Sequence, residues 1–137
     1  MTTTNATTTE TLAVGTELPA LKLRPISRTT LALFAGASGD HNPMHIDIDV
    51  AKSVGLEDVF AHGMLSMAYL GRLLTDNFDP AAIRSYRVRF ASITPVHGKP
   101  TATGKVISIE NGLATLELTV ALADGTVTLT GDAVVAI

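Results

Sequence analysis

His62-Gly63-Met64-Leu65-Ser66-Met67-Ala68-Tyr69-Leu70-Gly71-Arg72-Leu73-Leu74 is the stretch on which the architecture turns. After the His-Gly pair only Ser66, Gly71 and Arg72 interrupt its apolar surface. A helix apolar on nearly every side is expected to be buried on most of them. Asp76-Asn77-Phe78-Asp79-Pro80 predicts its end, because proline has no amide to donate and forces the preceding residue out of helix.

Downstream of this helix everything reads as strand. In Tyr86-Arg87-Val88-Arg89-Phe90 apolar and basic side chains alternate, the period of a half-buried strand. Three longer runs follow, Thr101 to Glu110, Leu113 to Leu122 and Thr126 to Ile137, separated by Asn111-Gly112 and Asp124-Gly125. Both dipeptides favour tight hairpin turns. Leu116, Leu118, Val120 and Leu122 share one face of their strand, while Thr115, Glu117 and Thr119 take the other. This is an antiparallel meander with one buried helix supplied from upstream, an α+β pattern.

Upstream, Val14-Gly15-Thr16-Glu17-Leu18-Pro19 turns into a short strand around Ala20 to Arg24, closed by Pro25. Ser27, Thr29 or Thr30 can cap a helix running through Leu31, Leu33 and Phe34 to about Ser38, with Gly39 as its stop. Pro43 keeps His41 and Asn42 out of regular helix, so Asp40 to Met44 is predicted as loop. Asp47 or Asp49 caps a short helix over Val50 to Val54, and Gly55 ends it.

With 137 residues the chain makes one domain. Residues 1–13 read as a short, threonine-rich disordered tail and 14–137 as the folded domain. The tail has neither the hydrophobic segment of a secretory signal nor the positive charge of a transit peptide. A hydrophobic fraction of 46% against 17% charged residues leaves an apolar patch to be covered, which predicts at least a dimer. The net charge of −3 and the lack of any Lys/Arg block argue against nucleic acid as a partner. Zero cysteines exclude disulfides and thiolate metal sites, which fits a cytoplasmic protein, and no apolar run approaches the ~18 residues of a membrane span.

The chemistry concentrates in Ser38-Gly39-Asp40-His41-Asn42-Pro43-Met44-His45 and Ala61-His62-Gly63-Met64-Leu65. Asp40 and His45 flank a proline-broken turn, a candidate acid/base pair. Gly63 heads the apolar helix, where a backbone N–H can hold developing negative charge and the missing Cβ lets a ligand come close. Asn42 before Pro43 is a turn residue held by side-chain to backbone bonds. Ser38 hydrogen-bonds around Asp40, and His62 reads as structural, bonded near the helix start. Ser66, one turn into the helix, faces a ligand pocket or satisfies a backbone carbonyl.

The order Ser-Gly-Asp-x-Asn-Pro-x-His followed by Ala-His-Gly-Met resembles the motif of the MaoC-like dehydratases, the (R)-specific enoyl-thioester hydratases of hotdog fold. Val88-Arg89-Phe90 and Thr94-Pro95-Val96 resemble the strand and Pro-Val turn that follow the buried helix in that family, which usually continues with Gly-Asp. Here the chain reads His97-Gly98-Lys99-Pro100. The resemblance implies a single hotdog domain, an antiparallel sheet wrapped around the helix. It implies a hydro-lyase interconverting trans-2-enoyl and (3R)-3-hydroxyacyl thioesters in fatty-acid metabolism. Asp40 and His45 would activate water and shuttle the α-proton. Asn42 would help hold the water, and Gly63 N–H would polarise the thioester carbonyl. Coenzyme A or phosphopantetheine would belong to the substrate, with no metal or other cofactor. Single-hotdog members are dimers, and similarity to the catalytic subunit of mycobacterial-type (3R)-hydroxyacyl-carrier-protein dehydratases leaves a heterodimer open beside a homodimer. A hotdog thioesterase and a non-catalytic acyl-binding partner subunit are the rival activities.

Three other groupings stand beside this one in the sequence. Asp40, His41, His45 and His62 resemble a metal ligand set, but Pro43 prevents His41 and His45 from sharing a helical face as zinc-binding i, i+4 pairs do. Arg84, Arg87, Arg89, Lys99 and Lys105 read as a solvated face, with coenzyme A phosphates or an acidic carrier protein as the functional alternative. Gly36-Ala37-Ser38-Gly39 lacks the lysine and the preceding strand of a phosphate-binding loop.

Overall fold

A computed structural model of the chain describes residues 11–137; most of the expected tail, residues 1–10, lies outside that range. In chain order the elements are strand β1 (Leu21–Lys22), helices α1 (Arg28–Ser38), α2 (Ile48–Ser53) and α3 (Gly63–Asn77), and strands β2 (Ile83–Phe90), β3 (Thr101–Glu110), β4 (Leu113–Ala121) and β5 (Val127–Ala136). One sheet holds all five strands in the order β1-β3-β4-β5-β2, every pairing antiparallel. Helix α3 lies across β2, β3 and β4, so the sheet wraps it as the hotdog arrangement requires.

The alternation of β4 sets the register of the core. Ala114, Leu116, Leu118 and Val120 are fully buried, and opposite them come Val106 and Ala102 of β3 and Val135, Ala133 and Leu129 of β5. Leu70, Leu73 and Leu74 of α3 complete this layer. Burying each such leucine contributes about 1.5–3 kcal/mol. The helix comes close enough that a Cβ on Gly104 would sit 3.2 Å from Leu18 and 3.4 Å from Leu73. Asn111 and Gly112 both take positive φ, 52° and 74°, the two-residue turn that matches strand twist. At the other hairpin Asp124 Oδ1 accepts from Thr126 N–H at 2.9 Å and only Gly125 is left-handed, a longer loop.

Helix α3 departs from the expectation of burial on most sides. Met64 is 56% exposed, and Ala68 and Arg72, one and two turns on, are exposed with it. One sheet covers one face of a helix, and this stripe lies on the other. Tyr86 of β2 reaches across from the sheet to donate its hydroxyl to the Met67 carbonyl at 2.6 Å, and burial pushes its phenol up to about 12.

A second, smaller apolar cluster sits beside the sheet core. Ile26, Leu31 of α1, Ala51 of α2, Val59, Ala61, Leu65 and Val96 make it up, with Phe34, Leu56 and Tyr69 against it. It carries the segments that lead into α3. Among the described residues no helix is long and apolar enough to cross a membrane.

Candidate active site

Helix α1 starts where Ser27 Oγ accepts from Thr30 N–H and stops at Gly39, whose φ of 77° suits the left-handed C-cap. The chain then folds through three successive side-chain acceptors. Asp40 N–H donates to Ser38 Oγ at 3.2 Å, Asn42 N–H to Asp40 Oδ1 at 3.2 Å, and Met44 N–H to Asn42 Oδ1 at 3.1 Å. Short polar side chains that reach the amide two residues on are what make such a turn without regular structure. The expected loop therefore closes as a 3₁₀ turn over Pro43–His45, with Pro43 in the position where its missing amide costs nothing. The turn carries the next side chain inward: Asp40, His41 and Asn42 are exposed, whereas His45 is buried.

His45 Nδ1 lies 2.7 Å from the Phe60 carbonyl oxygen. A carbonyl only accepts, so Nδ1 carries a proton, and a lone pair on this ring is then at Nε2. The Phe60 ring meets the His45 ring edge-on at 4.7 Å. His62, the residue just before α3, stacks on the other side of His45 with centroids 3.9 Å apart and planes 28° from parallel. Its Nε2 donates to the Asp40 main-chain carbonyl at 3.1 Å, and Phe34 of α1 abuts its ring at 4.9 Å. Asp40, His45 and His62 thereby bring one carboxylate or imidazole atom each to within 4.8 Å of one another.

Gly63 opens α3 beside this group. The first amides of a helix lack intrahelical acceptors and carry the positive end of its dipole. A Cβ at Gly63 would stand 3.0 Å from two Phe90 ring carbons, so the absent side chain leaves room for Phe90 to lie over the helix start. Between them runs a cleft of about 290 Å³ lined by Phe60, Gly63, Phe90, Ile93, Thr94 and Leu129. Its walls are chiefly apolar, and two of its lining residues adjoin the Asp40–His45–His62 group: Phe60, whose carbonyl holds His45, and Gly63, which follows His62. A larger depression by Glu17, Lys105 and Glu117 lies on the sheet away from these residues and holds no paired carboxylate and imidazole.

The structure gathers Asp40, His45 and Gly63 and places Ser38 and Asn42 as struts of the loop. Ser66 is fully buried, its Oγ 3.5 Å from Thr94 Oγ1. Thr94 is a lining residue that sequence reasoning missed; its proximity to Ser66 spans 28 positions and no local pattern signals it. His41 points out of the cluster into solvent. Three of the basic residues are engaged separately: Arg87 pairs with Asp132 at 3.1 Å, Arg84 donates to the Ala81 carbonyl, and Lys105 stands opposite Glu117. Arg28 grips Asp58 with two N–H···O bonds, holding that carboxyl below the usual range and tying α1 to the segment before α3. At the departure from the family's Gly-Asp, His97 takes a φ of 67° and its N–H donates to the Ile26 carbonyl at 2.6 Å.

As a metal centre the triad is poorly disposed. In near-parallel stacked rings the nitrogen lone pairs run side by side instead of converging on one point. As an acid/base site it is better disposed: one carboxylate and one imidazole lie close together just ahead of a helix start, and the Gly63 end of that helix borders an apolar cleft.

A five-stranded antiparallel sheet wrapped around one helix, with a carboxylate and two imidazoles gathered beside the helix start, is a hotdog scaffold. Residues 9–123 match the MaoC like domain family, and the chain belongs to it. The (R)-specific enoyl-CoA hydratase of Rhodospirillum rubrum is 32% identical over 116 residues, covering 82% of this chain and 80% of that protein. The (R)-hydratase from A. caviae involved in PHA biosynthesis superposes with a TM-score of 0.83 at 27% identity, covering 93% of this chain and 98% of its own. A chain of the ChsH1-ChsH2 complex from Mycobacterium tuberculosis superposes with a TM-score of 0.81 at 26% identity, covering 91% and 98%.

Proposed function

We propose that the chain is a hydro-lyase that interconverts trans-2-enoyl thioesters and (3R)-3-hydroxyacyl thioesters. The observation that carries the reading is the meeting of Asp40 and His45 beside Gly63, with His45 locked so that its Nε2 lone pair is free. Its family and its likeness to the R. rubrum hydratase support the same chemistry.

In the hydration direction Asp40 and His45 hold one water. A lone pair of the pair takes a proton from it as its oxygen bonds to C3 of the enoyl group. The C2–C3 π electrons move onto C2 and the thioester oxygen, where Gly63 N–H faces the developing charge. The pair then returns a proton to C2, so water is added and nothing is oxidised or reduced. The Asn42 oxygen accepts from Met44 N–H, which leaves its amide nitrogen free for the role of helping to hold the water or to orient the neighbouring side chains. The acyl chain enters the apolar cleft, with Thr94 at its polar wall and the fully buried Ser66 behind it. This sequence needs no cofactor; coenzyme A or phosphopantetheine comes with the substrate.

The protein acts as a dimer in the cytoplasm. Strand β2 stands at one end of the sheet with eight residues available for pairing, and the exposed Met64 and Ala68 lie on the uncovered face of α3. A second copy is the simplest cover, and the ChsH1-ChsH2 complex supports a related but different subunit as the alternative.

The test follows the enoyl-thioester absorbance band with purified protein and a series of trans-2-enoyl-CoA substrates starting from crotonyl-CoA, with free thiol assayed in parallel. Loss of the band without thiol, giving the (3R) product, is the expected outcome. Thiol release would replace the reading with a thioesterase, and silence across the series would point to a longer acyl chain, a carrier-protein substrate or a missing partner subunit.

A further inference from the structure

We propose that His62 is a positioning residue for the acid/base pair, a clasp that holds Asp40, His45 and the Gly63 amide in one geometry. The inference rests on the assignment of Asp40 and His45 above and adds a residue that touches neither water nor substrate.

Three contacts converge on this one ring. Its Nε2–H holds the main-chain carbonyl of Asp40, its face lies on His45, and it is covalently next to Gly63. Each of the three proposed reacting groups is thus reached by a different part of the same residue. The need is evident from the loop itself, in which residues 40–43 are all exposed and held chiefly by bonds within the turn. Across to the helix side the loop is tied at Phe60, through the His45 ring and the Met44 carbonyl, and at His62. Without the second tie the carboxylate end can swing about the Phe60 end.

The ring also bears a feature that packing alone does not explain. His62 is 1% exposed, and its Nδ1 is buried with no hydrogen-bond partner. With the proton on Nε2, Nδ1 is an acceptor taken out of water without a donor, which is a stability cost. A phenyl ring would fill the same space against Phe34 and His45 without that cost. A histidine here therefore makes sense for the bond it donates to Asp40, a trade of stability for placement.

The variant His62→Phe keeps the ring and removes both nitrogens. Its thermal midpoint is expected to equal or exceed that of the wild type, while kcat on the enoyl-CoA substrate falls about 10- to 100-fold at little-changed KM. His62→Gln restores a donor at the Nε2 position and loses the ring, so it should be the less stable variant and the more active of the two. This reversal of order is what a purely structural residue cannot give, since activity would then track folded protein. A folded His62→Phe with wild-type kcat overturns the proposal. Asp40→Asn and His45→Asn are run in the same assay: if they too keep wild-type rates, the acid/base assignment falls first. If they lose activity and His62→Phe does not, only the clasp falls. Should His62→Phe fail to fold, ¹⁵N shifts of the wild-type histidines decide, the Nε2–H form of His62 being expected and the Nδ1–H form overturning it.

Discussion

The three-stranded heart of the sheet and the segment from Asp40 to Gly63 are held together by opposite means. Strands β3, β4 and β5 rest on a run of fully buried apolar side chains in simple alternation. The site segment is seated on the smaller cluster by Ala51, Val59 and Ala61, but its Asp40–His45 turn rests on side-chain and ring-nitrogen hydrogen bonds to main-chain groups, most of them at the surface. Apolar burial is large and indifferent to direction; hydrogen bonds are individually modest and strict in geometry. The sheet therefore supplies stability and the segment supplies placement, and substitutions should separate the two.

The largest expected effect is on rate. His45→Asn can still donate to the Phe60 carbonyl but has no Nε2, and Asp40→Asn can still accept from Asn42 N–H but has no carboxylate charge. Each should lower kcat by about 10²- to 10⁴-fold with the thermal midpoint little changed, read by enoyl absorbance and calorimetry. Leu116→Ala does the reverse: a fully buried side chain is lost from the middle of the sheet. Denaturant unfolding should show a loss of about 2–5 kcal/mol, while kcat per folded molecule stays near wild type. A stable Asp40→Asn with full activity, or a Leu116→Ala whose folded fraction is inactive, would break the comparison.

Two smaller tests sharpen it at the joints. Tyr86→Phe removes the bond to the Met67 carbonyl and should cost about 1 kcal/mol. Because burial raises the folded phenol to about 12, the wild type holds its tyrosine protonated where the unfolded chain has begun to ionise it. Its stability should therefore fall as pH rises from about 10 towards 12, and this part of the loss should be absent from Tyr86→Phe. Smallest is Asp58→Asn, which breaks an exposed ion pair. The folded carboxyl is lowered by Arg28. The wild-type advantage should thus be present above the ordinary carboxylate pKa of about 4 and disappear as pH falls through the lower folded value. High salt should shrink it as well.

What the sequence made legible was whatever depends on neighbours along the chain. Ser27 and Asp47 cap the helices they precede, Gly39 and Gly55 take positive φ after them, and Asn111-Gly112 makes its hairpin. The octet from Ser38 to His45 pointed to the site because its spacing is local. The contacts that build the site are not local. His62 reaches Asp40 across 22 residues, and Ser66 meets Thr94 across 28. Nor could the pattern of α3 say which face meets the sheet, since leucine and methionine occupy nearly all of them; the exposed Met64 and Ala68 emerged only from the packing.

Two apolar clusters, and not one, underlie the molecule, and the site grows from the smaller. The larger belongs to strands and the inner face of α3, the smaller to α1, α2 and the approach to Gly63. For a lineage of such proteins this division sets where change is tolerated. Residues of the smaller cluster away from His62, such as Leu56 and Val96, can change while the sheet keeps the chain folded. A scaffold divided in this way can acquire new substrates by small steps without losing its shape.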